Sequence, residues 1–237
     1  MSILNKISRF FFPLRCAFCG DLSSESLVCE ECLKQIPECE ILGETCLKCG
    51  NAKERCECRR VNYLFNGISA VYYNIGIAKE GVYGLKMANR PFAAKYFGER
   101  MAKSFSDKFD VKPDVVCSVP CSEKVLKERG YNHAELLAKA VAKSLSLEYN
   151  GKIIKKIKNN KAQHTLTAAE RRRNVKGAYR VTASLEGKTI LLVDDIKTTG
   201  STLNECAKQL RLKGAKEVYC AVALISNMSC KDGKNKI

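Results

Sequence analysis

The sequence predicts an α/β protein, a mainly parallel sheet flanked by helices, preceded by a small cysteine-rich module. Three observations carry this. From residue 61 onward, short apolar runs closed by turn residues alternate with longer stretches of helical period. Nine of the fourteen cysteines fall between Cys16 and Cys58. Hydrophobic residues make up 46% of the chain, enough for a packed core, yet no apolar run reaches the ~20 residues of a membrane helix.

The opening stretch, MSILNKISRFFFPLRC, is basic with a short apolar patch. Arg9 and Pro13 interrupt it and no small-residue cleavage site follows, which argues against a signal peptide. The cysteines then read as those of a cytoplasmic protein, where disulfides rarely persist and clustered pairs point to metal. Cys16-x2-Cys19 is followed by Cys29-x2-Cys32, and Cys46-x2-Cys49 by Cys56-x-Cys58. Eight thiolates in four pairs suit two closed, tetrahedral, structural Zn²⁺ sites. The second set is the weaker pattern, because Cys56-x-Cys58 is tight and Cys39 offers an alternative ligand. Spacing leaves open whether the pairs combine in order or cross over. Zinc would staple a module over residues 1–60 that has little core of its own.

The α/β domain is expected over 61–226, with 227–237 as a frayed tail. GISAVYYN, at 67–74, alternates as a strand, and AKEGVYGLKMA reads as a short helix. Pro91 precedes FAAKYFGERMAKSF, an amphipathic helix with proline near its first turn. DVVCSVP, at 114–120, reads as a buried strand. NHAELLAKAVAKSL follows as a helix capped by Asn132. KIIKKIK alternates as a further strand, whereas NNKAQHTLTAAERRRN, at 159–174, reads as a mobile loop. KTILLVDD is a strand, STLNECAKQLRLK a helix closed by Gly214, and KEVYCAVALI the last strand.

ILLVDDIKTTGST, at 190–202, carries the chemistry. Ligands of open α/β sheets sit beyond the carboxyl ends of the strands, where this run places Asp194 and Asp195. The small residues Thr198, Thr199, Gly200, Ser201 and Thr202 then lead into a helix, whose N-terminal amides favour an anion. Acids suit sugar hydroxyls and the turn suits a phosphate, so the implied ligand is a ribose 5-phosphate. A phosphate loop at EGKT is excluded, because Thr182 stands where glycine is required and the run precedes a strand.

This stretch resembles the diphosphate-sugar signature of the type I phosphoribosyltransferases. With the paired cysteines after FFPLRC, GLKMANRP, SVPCSEKVLKERGYNHAELLAKAV and QHTLTAAERRRNVKGAY, the whole chain is similar to the ComF family of competence-associated phosphoribosyltransferase-like proteins. The resemblance implies binding of phosphoribosyl pyrophosphate (PRPP) with Mg²⁺, which prefers substrate phosphates and waters to an all-protein cage. It implies that Asp194 and Asp195 orient the ribose and stabilise positive charge at C1′, while residues 198–202 hold the 5′-phosphate. The backbone of Pro120, Cys121 and Ser122, with Arg129 and Lys86, would take the pyrophosphate. The loop carrying Lys158, Gln163, Arg171, Arg172 and Arg173 would close over the ligand. Lys158 and Asn160 stand where the family commonly has arginine and threonine, and His133 where it usually has glutamine. Neither His133 nor His164 is given a catalytic role.

A net charge of +16 favours a polyanionic partner. Two functions follow: transfer of ribose 5-phosphate from PRPP to an unidentified acceptor, or a nucleic-acid-binding accessory of DNA uptake in which PRPP is a regulatory ligand. Single-stranded DNA and other DNA-uptake proteins are the partners implied. The basic stretch 152–176 supports the second reading, although its few aromatics make a poor stacking platform. A repressor is not supported, since no helix-turn-helix is legible. The sequence does not specify an oligomeric state.

Overall fold

Burial on both faces selects continuous apolar strands over alternating ones, and the four strands of the central sheet follow that rule. The computed structural model describes residues 14–23, 26–41, 43–158 and 168–226. Its strands are β1 (Gly67–Tyr73), β2 (Val115–Ser118), β3 (Ile154–Lys156), β4 (Tyr179–Val181), β5 (Thr189–Lys197) and β6 (Glu217–Ile225). The main sheet runs β1-β6-β5-β2, parallel throughout. Strands β3 and β4 form a separate antiparallel pair, so the expected strand at KIIKKIK exists but lies outside the main sheet.

Among the described residues seven α-helices accompany them: α1 (Glu30–Gln35), α2 (Gly76–Met87), α3 (Ala93–Lys108), α4 (Glu123–Arg129), α5 (His133–Leu145), α6 (Ala168–Val175) and α7 (Ser201–Leu212). The cap at Asn132 is as expected, its side chain accepting the amide of Ala134 at 3.2 Å. Three helices were not anticipated, the short α1 within the cysteine-rich module, α4 and α6. Helix α4 is set by Ser122, which accepts the Val125 amide, and by Gly130 in the left-handed region at φ 82°. Helix α6 occupies much of the stretch read as a loop; its polar AAERRRNV composition gives no apolar period to detect. The rest of that stretch, 159–167, and the tail 227–237 lie outside the described residues.

The two faces of the sheet carry separate cores. One joins Leu191 and Val193 of β5 to α2, α3 and α5 through Leu85, Phe97, Met101 and Leu137. The other joins Ile190 and Leu192 to α7, β3 and β4 through Leu203, Leu210, Ile154 and Tyr179. Each cysteine group packs on a different face. Cys16, Phe18 and Cys32 belong to the first core, Cys49 and Tyr63 to the second. Phe18, inside the Cys16–Cys19 knuckle, meets Tyr96 and Phe97 edge-on at 5.3 Å between ring centroids. The cysteine-rich segment therefore shares the cores of the α/β domain, a tie that composition does not reveal.

Helices α3 and α5 approach closely where Gly98 faces α5, for a Cβ there would stand 2.4 Å from that of Ala140 and 3.2 Å from the carbonyl of Leu137. Gly98→Ala is expected to destabilise the fold by about 1–3 kcal/mol through overpacking, read as a lower urea midpoint at unchanged slope.

Candidate functional site

The expected end of the third main strand at Asp195 is corrected by the pairing. Strand β5 continues through Asp194↔Val222 to Lys197↔Ile225, so both acids lie inside it. Strand β2 stops at Ser118 opposite Val193, which leaves one edge of β5 open beyond that point. Alternation sends neighbouring side chains to opposite faces. Asp195 follows Leu191 and Val193 toward α2 and α5, where it forms an ion pair with Lys86 and lies 3.5 Å from His133 Nε2. Asp194 follows Leu192 toward Cys206 and Tyr179, whose ionisation it opposes.

The two carboxylates are 9% and 3% exposed and are shifted in opposite directions. Burial, then the charge of Asp195, pushes Asp194 well above the carboxylate range. Burial also opposes ionisation of Asp195, but the Lys86 ammonium and His133 outweigh it and hold that carboxyl well below the range. Lys86 in turn is raised: burial would lower it, and the attraction of Asp195 prevails. Carboxyl oxygens of both acids and a ring nitrogen of His133 fall within 4.8 Å of one another.

Beyond them, Gly200 adopts the left-handed conformation at φ 72° and caps the twelve-residue helix α7. Thr199 Oγ1 is 2.7 Å from Ser201 Oγ and accepts the Ser201 amide, while Thr198 and Thr202 are half-buried in the same turn. An open pocket adjoins this turn, lined by Tyr63, Lys176, Thr199, Ser201, Asn204 and Lys208. The turn expected to cup a phosphate is thus accessible at a helix N-terminus.

Segment RGYNH ties the remaining parts together. Tyr131 donates its hydroxyl to the carbonyl of Leu85 in α2, and Asn132 donates to the carbonyl of Val119, just before the Pro120–Ser122 loop. Pro120, Cys121 and Ser122 are half-buried there. Arg129 is the last residue of α4, and its guanidinium meets His133 Nδ1 at 2.7 Å. It therefore reaches the acids only through His133, a residue the sequence reading set aside. The signal available was its departure from the usual glutamine. Of the expected closing-loop residues, Lys158 is exposed near Gly177 and Arg173 is exposed on α6. Arg171 and Arg172 lie on the same helix, and Gln163 falls outside the described residues.

The cysteines gather as two groups, Cys16, Cys19, Cys29, Cys32 and Cys46, Cys49, Cys56, Cys58, which settles the pairing in sequence order. Cys39 belongs to neither; its thiol faces the carbonyl of Ile75 at 3.4 Å. Sulfur separations of 3.8 Å for Cys19–Cys29, 3.7 Å for Cys46–Cys58 and 3.8 Å for Cys49–Cys56 match the edge of a tetrahedron. With metal–sulfur bonds of about 2.3 Å that edge is about 3.8 Å. Burial opposes ionisation of Cys16, yet the amides of Cys29, Cys19 and Phe18 bring its thiol down to about 7. Cys46 is likewise brought down to about 7 against its burial, first by the Cys49 amide.

A parallel sheet whose ligand turn follows two acids defines the class. The family model for the phosphoribosyl transferase domain matches residues 98–237, and the chain belongs to that family. Its resemblance to the ComF family is borne out by similar proteins. It is 37% identical to Competence protein F of Haemophilus influenzae over 109 residues, 45% of this chain and 48% of that one. It is 36% identical to DNA utilization protein YhgH of Escherichia coli O157:H7 over 110 residues, 46% of this chain and 48% of that one. The match therefore spans about half the length of these relatives. Competence protein ComFC of Bacillus subtilis is 27% identical over 214 residues, 86% of each chain. Among solved structures, glutamine PRPP amidotransferase from B. subtilis is similar over 62% of this chain and 28% of its own, with 22% identity and a TM-score of 0.37.

The buried pair is open to test. The depressed Asp195 contributes stability above its ordinary value of 3.8, lost as pH falls toward its folded value. The raised Lys86 contributes below its ordinary value of 10.5, lost as pH rises through its folded value. Breaking the pair with Lys86→Met is expected to cost about 3–5 kcal/mol in urea unfolding at pH 7. The sign then reverses: the stranded carboxyl binds a proton more tightly when folded, so the variant recovers stability on acidification from about pH 7 to about pH 5 and the native protein does not. Elemental analysis is expected to give two zinc ions per chain, one for each thiol group, with release to a chelator accelerating in acid as the ligands protonate.

Proposed function

We propose that this chain binds PRPP with Mg²⁺ and transfers its ribose 5-phosphate to an acceptor, in the cytoplasm and in the service of DNA uptake. The observation that carries the reading is the conjunction of a small-residue turn capping a helix at 198–202 with two buried acids, one of them ion-paired to Lys86. In this reading the amides and hydroxyls of Thr198, Thr199, Gly200, Ser201 and Thr202 hold the 5′-phosphate. Neutral Asp194 donates to a ribose hydroxyl, and ionised Asp195 accepts from one and offsets positive charge growing at C1′. Lys86, already beside Asp195, and the Pro120–Ser122 backbone face the pyrophosphate as it departs. Arg129 and His133 keep Asp195 oriented.

The donor set fits Mg²⁺ that arrives on the ligand. One acid is paired with an ammonium and the other is held neutral, so the two are poorly suited to chelate a bare ion but well suited to hydroxyls and metal-bound water. Magnesium supplies neutralisation of the pyrophosphate charge when bound. The two thiol groups fit structural Zn²⁺, and with four sulfurs each they leave no open position for catalysis.

One observation favours a second reading, a nucleic-acid-binding accessory. Lys155 of β3 and Arg180 of β4 are cross-strand partners and both exposed, with Lys152, Lys158, Arg173 and Lys176 also exposed nearby in sequence. Like charges placed opposite one another destabilise a strand pair, and a polyanion relieves that cost. Among the described residues no helix is long and apolar enough to cross a membrane.

PRPP with Mg²⁺ is expected to raise the melting temperature where ATP with Mg²⁺ does not. Asp194→Asn with Asp195→Asn should abolish that shift while zinc content stays native. Pyrophosphate release, assayed with free bases and with single-stranded DNA as acceptors, separates the readings; PRPP that binds but is never turned over favours the accessory. Arg180→Glu is expected to weaken single-stranded DNA binding about tenfold at low salt, with the native affinity itself falling steeply as salt is added.

A further inference from the structure

Lys197 stands one residue before the phosphate turn and is 1% exposed. Its Nζ donates to Asn51 Oδ1 at 3.2 Å and lies 5.6 Å from the ring centroid of Tyr63. Both contacts belong to the segment built around the second thiol group. Asn51 follows the Cys46–Cys49 knuckle, its carbonyl accepting the Cys46 amide at 2.8 Å and its side chain donating to the carbonyl of Arg55 at 3.3 Å. Tyr63 donates to Glu57, the residue between Cys56 and Cys58, at 3.1 Å.

A buried ammonium needs a counter-charge. Among the described residues no carboxylate comes within 4.0 Å of this one; among its longer-range attractions that of Glu57, which Tyr63 holds, comes first and those of Cys49, Cys58 and Cys46 follow. Four thiolates around one divalent ion would carry a net charge of about −2, and this group is on the face Lys197 turns to: alternation breaks after Asp195, with Ile196 packing on the first core and Lys197 against Tyr63 of the second, which also holds Cys49. The turn leans on the same segment. A Cβ at Gly200 would meet the Tyr63 ring at 2.8 Å, and Asn204 in the first turn of α7 accepts the Leu64 amide at 2.6 Å and donates to the Asn62 carbonyl at 3.1 Å.

We propose that Lys197 is a positioning residue that couples the second metal–thiolate centre to the phosphate turn: the centre, together with Glu57 between two of its ligands, supplies the counter-charge for Lys197, and the seated lysine holds residues 198–202 in their anion-cupping shape. The coupling is reciprocal, so a seated lysine also strengthens the hold on the metal. The consequence for PRPP depends on the proposed function; the coupling itself does not.

The test uses the full zinc-loaded chain without PRPP. Hydrogen exchange in peptides covering 198–204 should quicken about tenfold in a Cys56→Ser, Cys58→Ser variant, and stay native in a Cys19→Ser, Cys29→Ser variant that loses the other centre. Lys197→Met should release one of the two zinc ions to a chelator about tenfold faster, with Lys197→Arg restoring native release. Unchanged exchange at 198–204 after loss of the second centre overturns the proposal, as does native zinc release from a folded Lys197→Met. Should Lys197→Met not fold, the exchange comparison of the cysteine variants decides alone. A later PRPP titration separates the two claims, since a chain that never binds PRPP refutes the functional reading and leaves the measured coupling standing.

Discussion

Two adjacent carboxylates cannot be buried side by side in one strand without an arrangement for their charge, and the site of this protein is organised by that constraint. Desolvating an ionised carboxyl costs several kcal/mol unless it is paired. Here the cost is divided. Ionisation of Asp195 is favoured because Lys86 reaches it from α2 and His133 from the start of α5, while burial and its neighbour disfavour ionisation of Asp194. The position of α2 is in turn fixed by the hydroxyl of Tyr131 on the Leu85 carbonyl, and that of α5 by Asn132 on Val119. The loop after β2, the helix carrying the lysine and the strand carrying the acids are thereby set against one another before any ligand arrives. Preorganised charge of this sort is what a developing cation at a sugar carbon requires.

The cysteine-rich segment has a second role in this arrangement. A zinc module with little core is commonly stabilised by its metal alone, but here Phe18 is seated among Tyr72, Tyr96 and Phe97, and Tyr63 lies under Lys197 beside the phosphate turn. One thiol group braces the face that carries Lys86; the other braces the face that carries α7. Cutting the chain at residue 60 would remove Phe18 from one core and Cys49 from the other, and that explains why a boundary legible in composition is not a boundary in packing.

Much of this was readable from the sequence, and the limits have physical causes. The strands and long helices showed in apolar runs and caps, and the turn at 198–202 in its small residues. The true length of β5 was hidden because acids signal a strand end, whereas pairing with β6 continues past them to Lys197. Helices α4 and α6 lack the apolar period that burial imposes; α4 contains no buried residue at all. The order of the cysteine pairs and the exclusion of Cys39 depend on distances that spacing does not encode. His133 was passed over because it sits in no ligand-like pair in the sequence, and its meaning emerges only from Arg129 on one nitrogen and Asp195 on the other.

Lys197 shows the same limit most sharply, and it bears on how the signature should be read. Within LLVDDIKTTGST it looks like a solvated basic residue on the way into a turn, since its partner Asn51 is 146 residues away. Sequence supplies the turn but not the surface the turn is pressed against. In this chain that surface is the segment around the second thiol group, and Gly200 is required there twice over: its φ of 72° is left-handed, and any side chain would collide with Tyr63. A signature read in isolation as a set of ligand contacts therefore also records, in Gly200 and Lys197, packing against the cysteine-rich segment. The phosphate turn and the cysteine-rich segment consequently cannot vary independently, because a change in either removes the support of the other.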